Sequence, residues 1–210
     1  MKRLCSLFAV FLILPSNAAT VNLLPVADGQ VVDGGALGFS VDSTATTVRT
    51  RSSGRDTRGV YEFDLSTIPS LATIVSVDLV LTLASSITNT ASNAPVEFYS
   101  ITGDGAITVA DFDSPGILQN TEIYTLPVSI GTTLTISMTD LTPFQNVVST
   151  NNEIGIRLDT VNFVTFLTHS SEAAVSPDLM PTLQVTFVPE PSAALLLLIA
   201  TVSVTWRRRR

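Results

Sequence analysis

Residues 60–83 read VYEFDLSTIPSLATIVSVDLVLTL, and they predict two β-strands joined by a short turn. In the first half, Tyr61, Phe63 and Leu65 share one face, while Glu62 and Asp64 share the other. In the second half an apolar set alternates with a polar one: Val75, Val77, Leu79, Leu81 and Leu83 against Ser76, Asp78 and Thr82. A repeat of two with one polar face is typical of antiparallel strands that are buried on one side only.

The same alternation recurs later in the chain. It involves Leu134, Ile136 and Met138, then Ile154, Ile156 and Leu158, and finally Leu183, Val185 and Phe187. The intervals are rich in Thr, Ser, Gly, Asn and Pro, which are the residues that turns require. Several short strands of this kind, joined by turns, predict an all-β protein.

One segment has helical spacing instead. In TDLTPFQNVVSTNN (139–152), Leu141, Phe144 and Val148 recur at the period of a helix, and Thr142 is the predicted N-cap before Pro143. The predicted fold is therefore an antiparallel jelly-roll β-sandwich over 19–187 with one short helix capping one end.

The N-terminus is typical of a secretory signal peptide over 1–18. Lys2 and Arg3 precede an apolar run over 4–14, and Ser16 and Ala18 have the spacing that signal peptidase reads, so we expect cleavage after Ala18. The alternative, a buried first strand, leaves the basic start and the small-residue exit unexplained.

Charge and cysteine content restrict what the body can bind. Between residues 19 and 188 there are five arginines, no lysine and seventeen carboxylates, a net charge of −12. Such a domain repels nucleic acid and anionic lipid. The single cysteine, Cys5, leaves with the signal peptide, which excludes a disulfide scaffold, and one histidine without cysteine excludes a zinc site.

The C-terminal segment 188–210 has three parts. Val188-Pro189-Glu190-Pro191 forms a joint, 192–206 is apolar, and the last four residues are Arg207, Arg208, Arg209 and Arg210. The apolar run would be roughly 22 Å long as a helix, which is short for a ~30 Å hydrocarbon core. The arginines favour a cytoplasmic C-terminus with the body outside. A plain short transmembrane anchor is one reading of this tail.

The order and spacing of these parts resemble the PEP-CTERM sorting signal of exported proteins from Gram-negative bacteria. The resemblance implies that Pro189, Glu190 and Pro191 mark the place where an exosortase-like membrane enzyme cuts the chain. It also implies transient anchoring in the inner membrane through 192–206 and 207–210, followed by release to the cell envelope or the exterior.

A second resemblance covers the body. RGVYEFDLSTIPSLATIVSVDLVLTL (58–83), GIRL (155–158), HSSEA (169–173) and PTLQVTF (181–187) are similar to the landmarks of exported β-sandwich modules called DNRLRE domains, although the hexapeptide that names them is absent. The matching residues of the first landmark are Arg58, Phe63, Asp64, Leu65, Ser66, Ile68, Pro69, Ile74, Ser76 and Leu79. The resemblance implies kinship with carbohydrate-binding modules, some of which bind acidic polysaccharide.

Arg49, Arg51, Arg55 and Arg58 are the candidate contacts for such a glycan, since guanidinium groups bind carboxylate or sulfate in bidentate fashion. Tyr61, together with Tyr99 and Tyr124, could supply a stacking platform. The alternative is that the arginines neutralise nearby acids such as Asp56, Glu62 and Asp64.

The segment TGDGAITVADFD (102–113) is a weak calcium candidate. Aligning Gly105 with the glycine of an EF-hand loop places Asp104 and Asp111 at ligand positions, but Ser100 and Thr102 occupy the first two, so two carboxylates are missing. An ordinary turn explains the segment equally well. His169 is predicted to lie at the surface at a strand end.

These observations favour an exported, non-enzymatic envelope or extracellular-matrix protein. A carbohydrate-binding module for acidic extracellular polysaccharide is the alternative, and a polysaccharide lyase or hydrolase is the third reading. No cofactor is expected, and the expected partners are signal peptidase, the exosortase-like enzyme and extracellular polysaccharide.

Overall fold

A computed structural model describes residues 17–52, 55–87, 93–150, 153–160, 164–172 and 176–190. The strands within this part of the chain are β1 (Ala19–Leu23), β2 (Ala27–Asp33), β3 (Phe39–Asp42), β4 (Thr47–Arg51), β5 (Thr57–Asp64), β6 (Thr73–Thr82), β7 (Asn93–Thr102), β8 (Ile117–Thr125), β9 (Thr133–Ser137), β10 (Glu153–Thr160), β11 (Thr165–His169) and β12 (Thr182–Val188). The α-helix is α1 (Thr142–Ser149), and short 3-10 helices lie at Gly35–Leu37, Val109–Phe112 and Pro177–Leu179.

The strands form two antiparallel sheets, which confirms the predicted all-β sandwich class. The small sheet has the order β1-β12-β6-β9, and the large sheet has the order β11-β4-β5-β10-β7-β8, with β2 pairing β5 and β3 pairing β2. An isolated bridge between Leu83 and Thr168 joins the sheets on one side. On the other side, the Asn120 side chain donates a hydrogen bond to the Ser137 carbonyl at 3.2 Å.

The main hydrophobic core lies between the two sheets, where the predicted alternation places it. Phe63, Leu79, Ile156 and Val185 are all fully buried in one cluster. One predicted core residue is wrong: Val75 is 52% exposed, whereas its neighbour Ile74 is buried. The β6–β12 register shifts between Thr186 and Phe187, and this bulge moves the alternation of β6 by one residue before Val77.

The outer face of the large sheet differs from its prediction. The alternation in β5 predicted that Glu62 lies on a solvent-exposed face, but Glu62 is 0% exposed. The segment 103–116, which we call the covering loop, packs Ile107 and Phe112 against Val31, Val60 and Ile101, and so builds a second, smaller hydrophobic cluster. The large sheet is therefore covered on part of both faces.

Helix α1 contacts β10 and β6, one strand from each sheet, and caps one end of the sandwich as predicted. Its Phe144 is fully buried. The predicted N-cap is wrong by one position, because Leu141 is the N-cap and the Thr142 amide, already helical, donates instead to Asp140 Oδ1 at 2.9 Å. The Gln145 side chain ties the helix to the start of β6 through two 2.9 Å hydrogen bonds to backbone groups at residues 72 and 74.

Both ends of the described domain leave from the helix-capped end, which we call the tail pole. Ala19 pairs with Phe187 in the β1–β12 ladder, and Val188, the last residue of β12, pairs with Thr73. The opposite end, where β5 begins at Thr57, is called the arginine pole. Because β6 spans the sandwich with ten residues, the two poles are about 30 Å apart.

The predicted signal peptide over 1–18 and the predicted tail over 192–210 lie almost wholly or wholly outside the described residues. Among the residues that are described, no helix is long and apolar enough to cross a membrane.

Candidate functional site

The four clustered arginines of the sequence do not all lie at one site in the structure. Arg51 and Arg58 line a cleft of about 150 Å³ at the arginine pole. Arg49 and Arg55 are exposed and do not line it. The remaining residues of the cleft are Ser52, Asp56, Thr57, Glu97, Asp159 and Thr160. Two guanidinium groups and three carboxylates therefore share this small volume.

Arg58 is engaged with protein groups on several sides. Its Nε lies 3.3 Å from Asp159 Oδ1, and its Nη1 lies 3.0 Å from Asp113 Oδ1 and donates to the Phe112 carbonyl. The guanidinium carbon also stands 4.1 Å from the centre of the Phe112 ring, within cation–π range. The charge of Arg58 is therefore neutralised by acids that are distant in sequence, and not by the nearby Asp56, Glu62 and Asp64 that the alternative interpretation named.

Arg157 makes a second, more buried set of contacts that the sequence reading did not single out. The residue is 6% exposed, and its Nε and Nη2 lie 3.2 and 3.3 Å from the two carboxylate oxygens of Asp159. Its Nη1 donates to the Ser114 carbonyl at 2.5 Å, and the guanidinium stands 5.0 Å from the Tyr99 ring centre. In GIRLDT an arginine and an aspartate two residues apart share one face of a strand, a signal that could have identified this pair.

Asp159 is thus held between two arginines. Burial raises the pKa of its carboxyl, and the charges of Arg157 and Arg58 offset part of that rise. Because Arg58 and Arg157 also donate to the Phe112 and Ser114 carbonyls, the ion network fastens the far end of the covering loop to the large sheet.

The near end of the covering loop is held by a carboxylate. Glu62 Oε2 accepts hydrogen bonds from the backbone N–H groups of Asp104 at 3.0 Å and Gly105 at 2.5 Å. Its other oxygen, Oε1, is buried without a hydrogen-bond partner. Burial raises the pKa of Glu62 to about 7, although the two amides lower it in part. Guanidinium groups therefore bind loop carbonyls at one end, and a carboxylate binds loop amides at the other.

The two calcium-ligand candidates, Asp104 and Asp111, accept hydrogen bonds from backbone amides of the covering loop. Asp104 Oδ1 accepts from the Ala106 amide at 3.1 Å, and Asp111 Oδ2 accepts from the Thr108 amide at 2.6 Å. Ser100 and Thr102, the other positions of the EF-hand alignment, belong to strand β7 rather than to a loop. Across the described ranges, no group of three or more acidic, histidine or cysteine side chains is placed to hold a metal ion.

The tyrosines do not form a common platform. Tyr61 is 0% exposed, and its hydroxyl is hydrogen-bonded to Thr168, so its assignment as a glycan contact is wrong. Tyr61 shares with Phe63 and Leu65 the face of β5 that lies in the main core between the sheets. Tyr124 stacks at 5.9 Å on Phe166 beside the core. Tyr99 lies half-buried on the outer face, where its hydroxyl donates to Glu97 Oε2 at 2.8 Å.

A second enclosed carboxylate lies across the β2–β5 ladder from Tyr61. Asp28 is 1% exposed and accepts from the Ser171 amide at 2.7 Å, while its Oδ1 has no partner. Burial raises the pKa of Asp28 to about 6. His169 ends β11, as predicted, and is half-buried rather than fully exposed. The neighbouring Ser170 hydroxyl donates to the Ala45 carbonyl at 2.7 Å.

The tail pole carries a larger groove of about 480 Å³. No charged side chain belongs to its lining, which consists of Ser100, Ile101, Thr102, Pro115, Ile117, Pro143, Asn146, Val147, Thr150 and Ile154. The two concave surfaces therefore differ in chemistry as well as in position.

The sequence matches no protein-family model, and no curated protein is significantly similar to it.

Proposed function

We propose that this chain is an exported, non-enzymatic protein of the cell envelope or extracellular matrix, held transiently in the inner membrane by a PEP-CTERM-type signal. The observation that carries the proposal is the position of the two chain ends. Ala19 and Val188 leave the sandwich side by side at the tail pole. With both ends at one pole, a leader and a tail can enter the same membrane without either end having to cross the domain.

The boundary between body and tail supports the same proposal. Strand β12 ends at Val188, and Pro189 follows at once. Proline cannot donate to a strand ladder, so the ladder ends immediately before the proposed processing site. In the proposed arrangement, signal peptidase cuts after Ala18, and an exosortase-like enzyme cuts near Pro189-Glu190-Pro191.

The absence of an enzyme activity is part of the proposal. In the cleft, Asp159 and Arg58 are engaged with each other and with the covering loop. Asp28 and Glu62, whose pKa burial raises to about 6 and about 7, line neither the cleft nor the groove at the tail pole. General acid–base catalysis needs such groups within reach of a bound substrate.

We also propose that the sandwich is a jelly roll. The antiparallel sandwich, the end-capping helix and the DNRLRE-like landmarks in β5, β6, β10 and β12 favour a jelly roll related to exported carbohydrate-binding modules. Fold kinship alone does not define a ligand, however.

The proposal is tested by fractionating two isogenic Gram-negative hosts, one with an exosortase and one without. Without the enzyme, the full-length protein should remain in the inner membrane; with it, the body should move to the envelope or medium. A Pro189→Ala/Pro191→Ala double variant should remain in the membrane in both hosts. A body found in the cytoplasm, or an identical distribution in both hosts, would overturn the proposal.

A second candidate is binding of an acidic extracellular polysaccharide at the arginine pole. In its favour, Arg51 and Arg58 line one cleft together with the hydroxyls of Ser52, Thr57 and Thr160. Against it, the same cleft holds three carboxylates, so its formal charge repels a uronic acid. Affinity electrophoresis of the 19–188 fragment in gels containing alginate, with Arg51→Ala as the control variant, would decide between the candidates.

A further inference from the structure

The tail pole presents two exposed apolar side chains beside the chain exit. Val188 pairs with Thr73 across the β6–β12 ladder. Leu71 and Val75 stand two residues before and after Thr73, and they are 70% and 52% exposed. Both are therefore close to the point at which the tail leaves the sandwich.

Local backbone structure turns both side chains outward. The Ala72 amide donates to the Pro69 carbonyl at 2.8 Å, which places Leu71 at the tip of a tight turn. Val75 lies at the bulge opposite Thr186 and Phe187, without which it would follow the buried face of β6. The exposure of Leu71 thus follows from a tight turn, and that of Val75 from a β-bulge, and both features lie at the tail pole.

The joint is too short to hold the body far from a membrane. From Val188 to Ser192 the chain takes four residue steps. In the extended conformation that prolines favour, four steps span about 12 Å. The headgroup layer on each side of the hydrocarbon core is about 5 to 7 Å thick. If the apolar run begins at the hydrocarbon boundary, even a fully extended joint leaves the tail pole within about 5 to 7 Å of the headgroups, a distance that side chains at the pole cover in part and that any bend of the joint removes.

We propose that Leu71 and Val75 form a lipid-contact surface that seats the tail pole on the outer leaflet of the membrane holding the tail. The inference rests on the proposed function, because it requires 192–206 to lie in the bilayer. The net charge of −12 over 19–188 disfavours anionic headgroups, so the surface suits zwitterionic lipid. The arginine pole then faces away from the membrane.

The chain supplies a matched control at the opposite pole. Ile130 is 65% exposed, close to the value for Leu71. Its neighbour Gly131 donates to the Leu83 carbonyl at 2.9 Å, just beyond the last residue of β6. Leu71 and Ile130 are therefore apolar residues of similar exposure at opposite ends of one strand.

The experiment uses full-length protein, retained in a host without an exosortase and reconstituted in phosphatidylcholine vesicles. Cys5→Ser removes any native thiol, and single variants Leu71→Cys, Val75→Cys, Ile130→Cys and Leu196→Cys carry an environment-sensitive fluorophore. Lipid with a quencher near its headgroup should reduce emission from positions 71, 75 and 196 and leave position 130 unchanged.

Two other results would contradict the inference in distinguishable ways. Quenching at 196 with equal, negligible quenching at 71, 75 and 130 would overturn the lipid-contact surface and leave the proposed function standing. Absence of quenching at 196 would show that the tail is not in the bilayer, and both proposals would fail.

Discussion

The two poles of the sandwich are ends of the same strands, yet they carry different chemistry. At the arginine pole, Arg58 and Asp159 face a small cleft rich in charge, but their charges are engaged with each other and with the covering loop. At the tail pole, the larger groove has an uncharged lining, and both chain ends leave there. The comparison teaches that the most conspicuous charges of this domain hold its own fold, whereas the groove with the uncharged lining lies at the pole from which the tail leaves.

Outside the main core, the largest expected effect is on the ion network near the arginine pole. Arg157→Ala leaves Asp159 with one fewer cationic partner and the Ser114 carbonyl without its donor, so the free energy of unfolding should fall by about 3 kcal/mol. Urea unfolding followed by circular dichroism measures the change.

Arg49→Ala is the matched control, because Arg49 is exposed and lies outside the cleft. Its effect should remain within about 0.5 kcal/mol. Equal losses for the two variants would show that the network does not hold the covering loop.

The next effect concerns the carboxylate at the other end of the covering loop. The folded-state pKa of Glu62, about 7, lies above the ordinary value of 4.5, so the folded protein keeps a proton that the unfolded chain releases between these values. The free energy of unfolding should therefore fall as pH rises from about 5 to about 8, with Glu62 contributing roughly 1 to 2 kcal/mol.

Glu62→Gln tests this contribution, because the amide oxygen can still accept from Asp104 and Gly105 without a charge. The variant should lose that part of the pH dependence and gain stability relative to the natural protein above about pH 7. An unchanged pH profile would mean that Glu62 does not carry the proton.

A smaller effect is expected at the tail pole in the absence of lipid. Leu71→Ser removes a side chain that is 70% exposed, so the free energy of unfolding of the 19–188 fragment should change by at most about 0.5 kcal/mol. Leu79→Ala, at a fully buried site, should cost about 2 to 5 kcal/mol in the same assay. A large loss for Leu71→Ser would assign that residue to folding and not to a contact with lipid.

No effect is expected on polysaccharide chain length. Alginate or pectin incubated with the 19–188 fragment should keep its size distribution in gel filtration, because Arg58 and Asp159 in the cleft are engaged with each other and with the covering loop. Depolymerisation that disappears in Tyr99→Phe would instead establish a lyase at the outer face.

The strands were predictable because their alternation is local in sequence. Phe63, Leu79 and Ile156 lie in the core as the repeat of two requires. The burial of Glu62 and the exposure of Val75 could not be predicted in this way. Glu62 is covered by a loop 42 residues further along the chain, and Val75 is turned outward by the register shift between β6 and β12. Neither partner is visible in the local pattern of β5 or β6.

The candidate site was predictable only in part for the same reason. The sequence indicated Arg58, but its partners Asp113 and Asp159 come from the covering loop and from β10. Tyr61 was placed among possible glycan contacts for its chemistry, although the alternation already put it on the buried face with Phe63 and Leu65. Arg51 and Arg58 line the cleft, while Arg49 and Arg55 do not, because β4 pairs with the start of β5 at Arg51 and Thr57.

The most direct test of the central claim is the intact mass of the mature protein isolated from a host with a working exosortase. The proposed function predicts a chain that begins after Ala18 and lacks the residues beyond the Pro189-Glu190-Pro191 joint. Recovery of the chain through Arg210 from that host would contradict it.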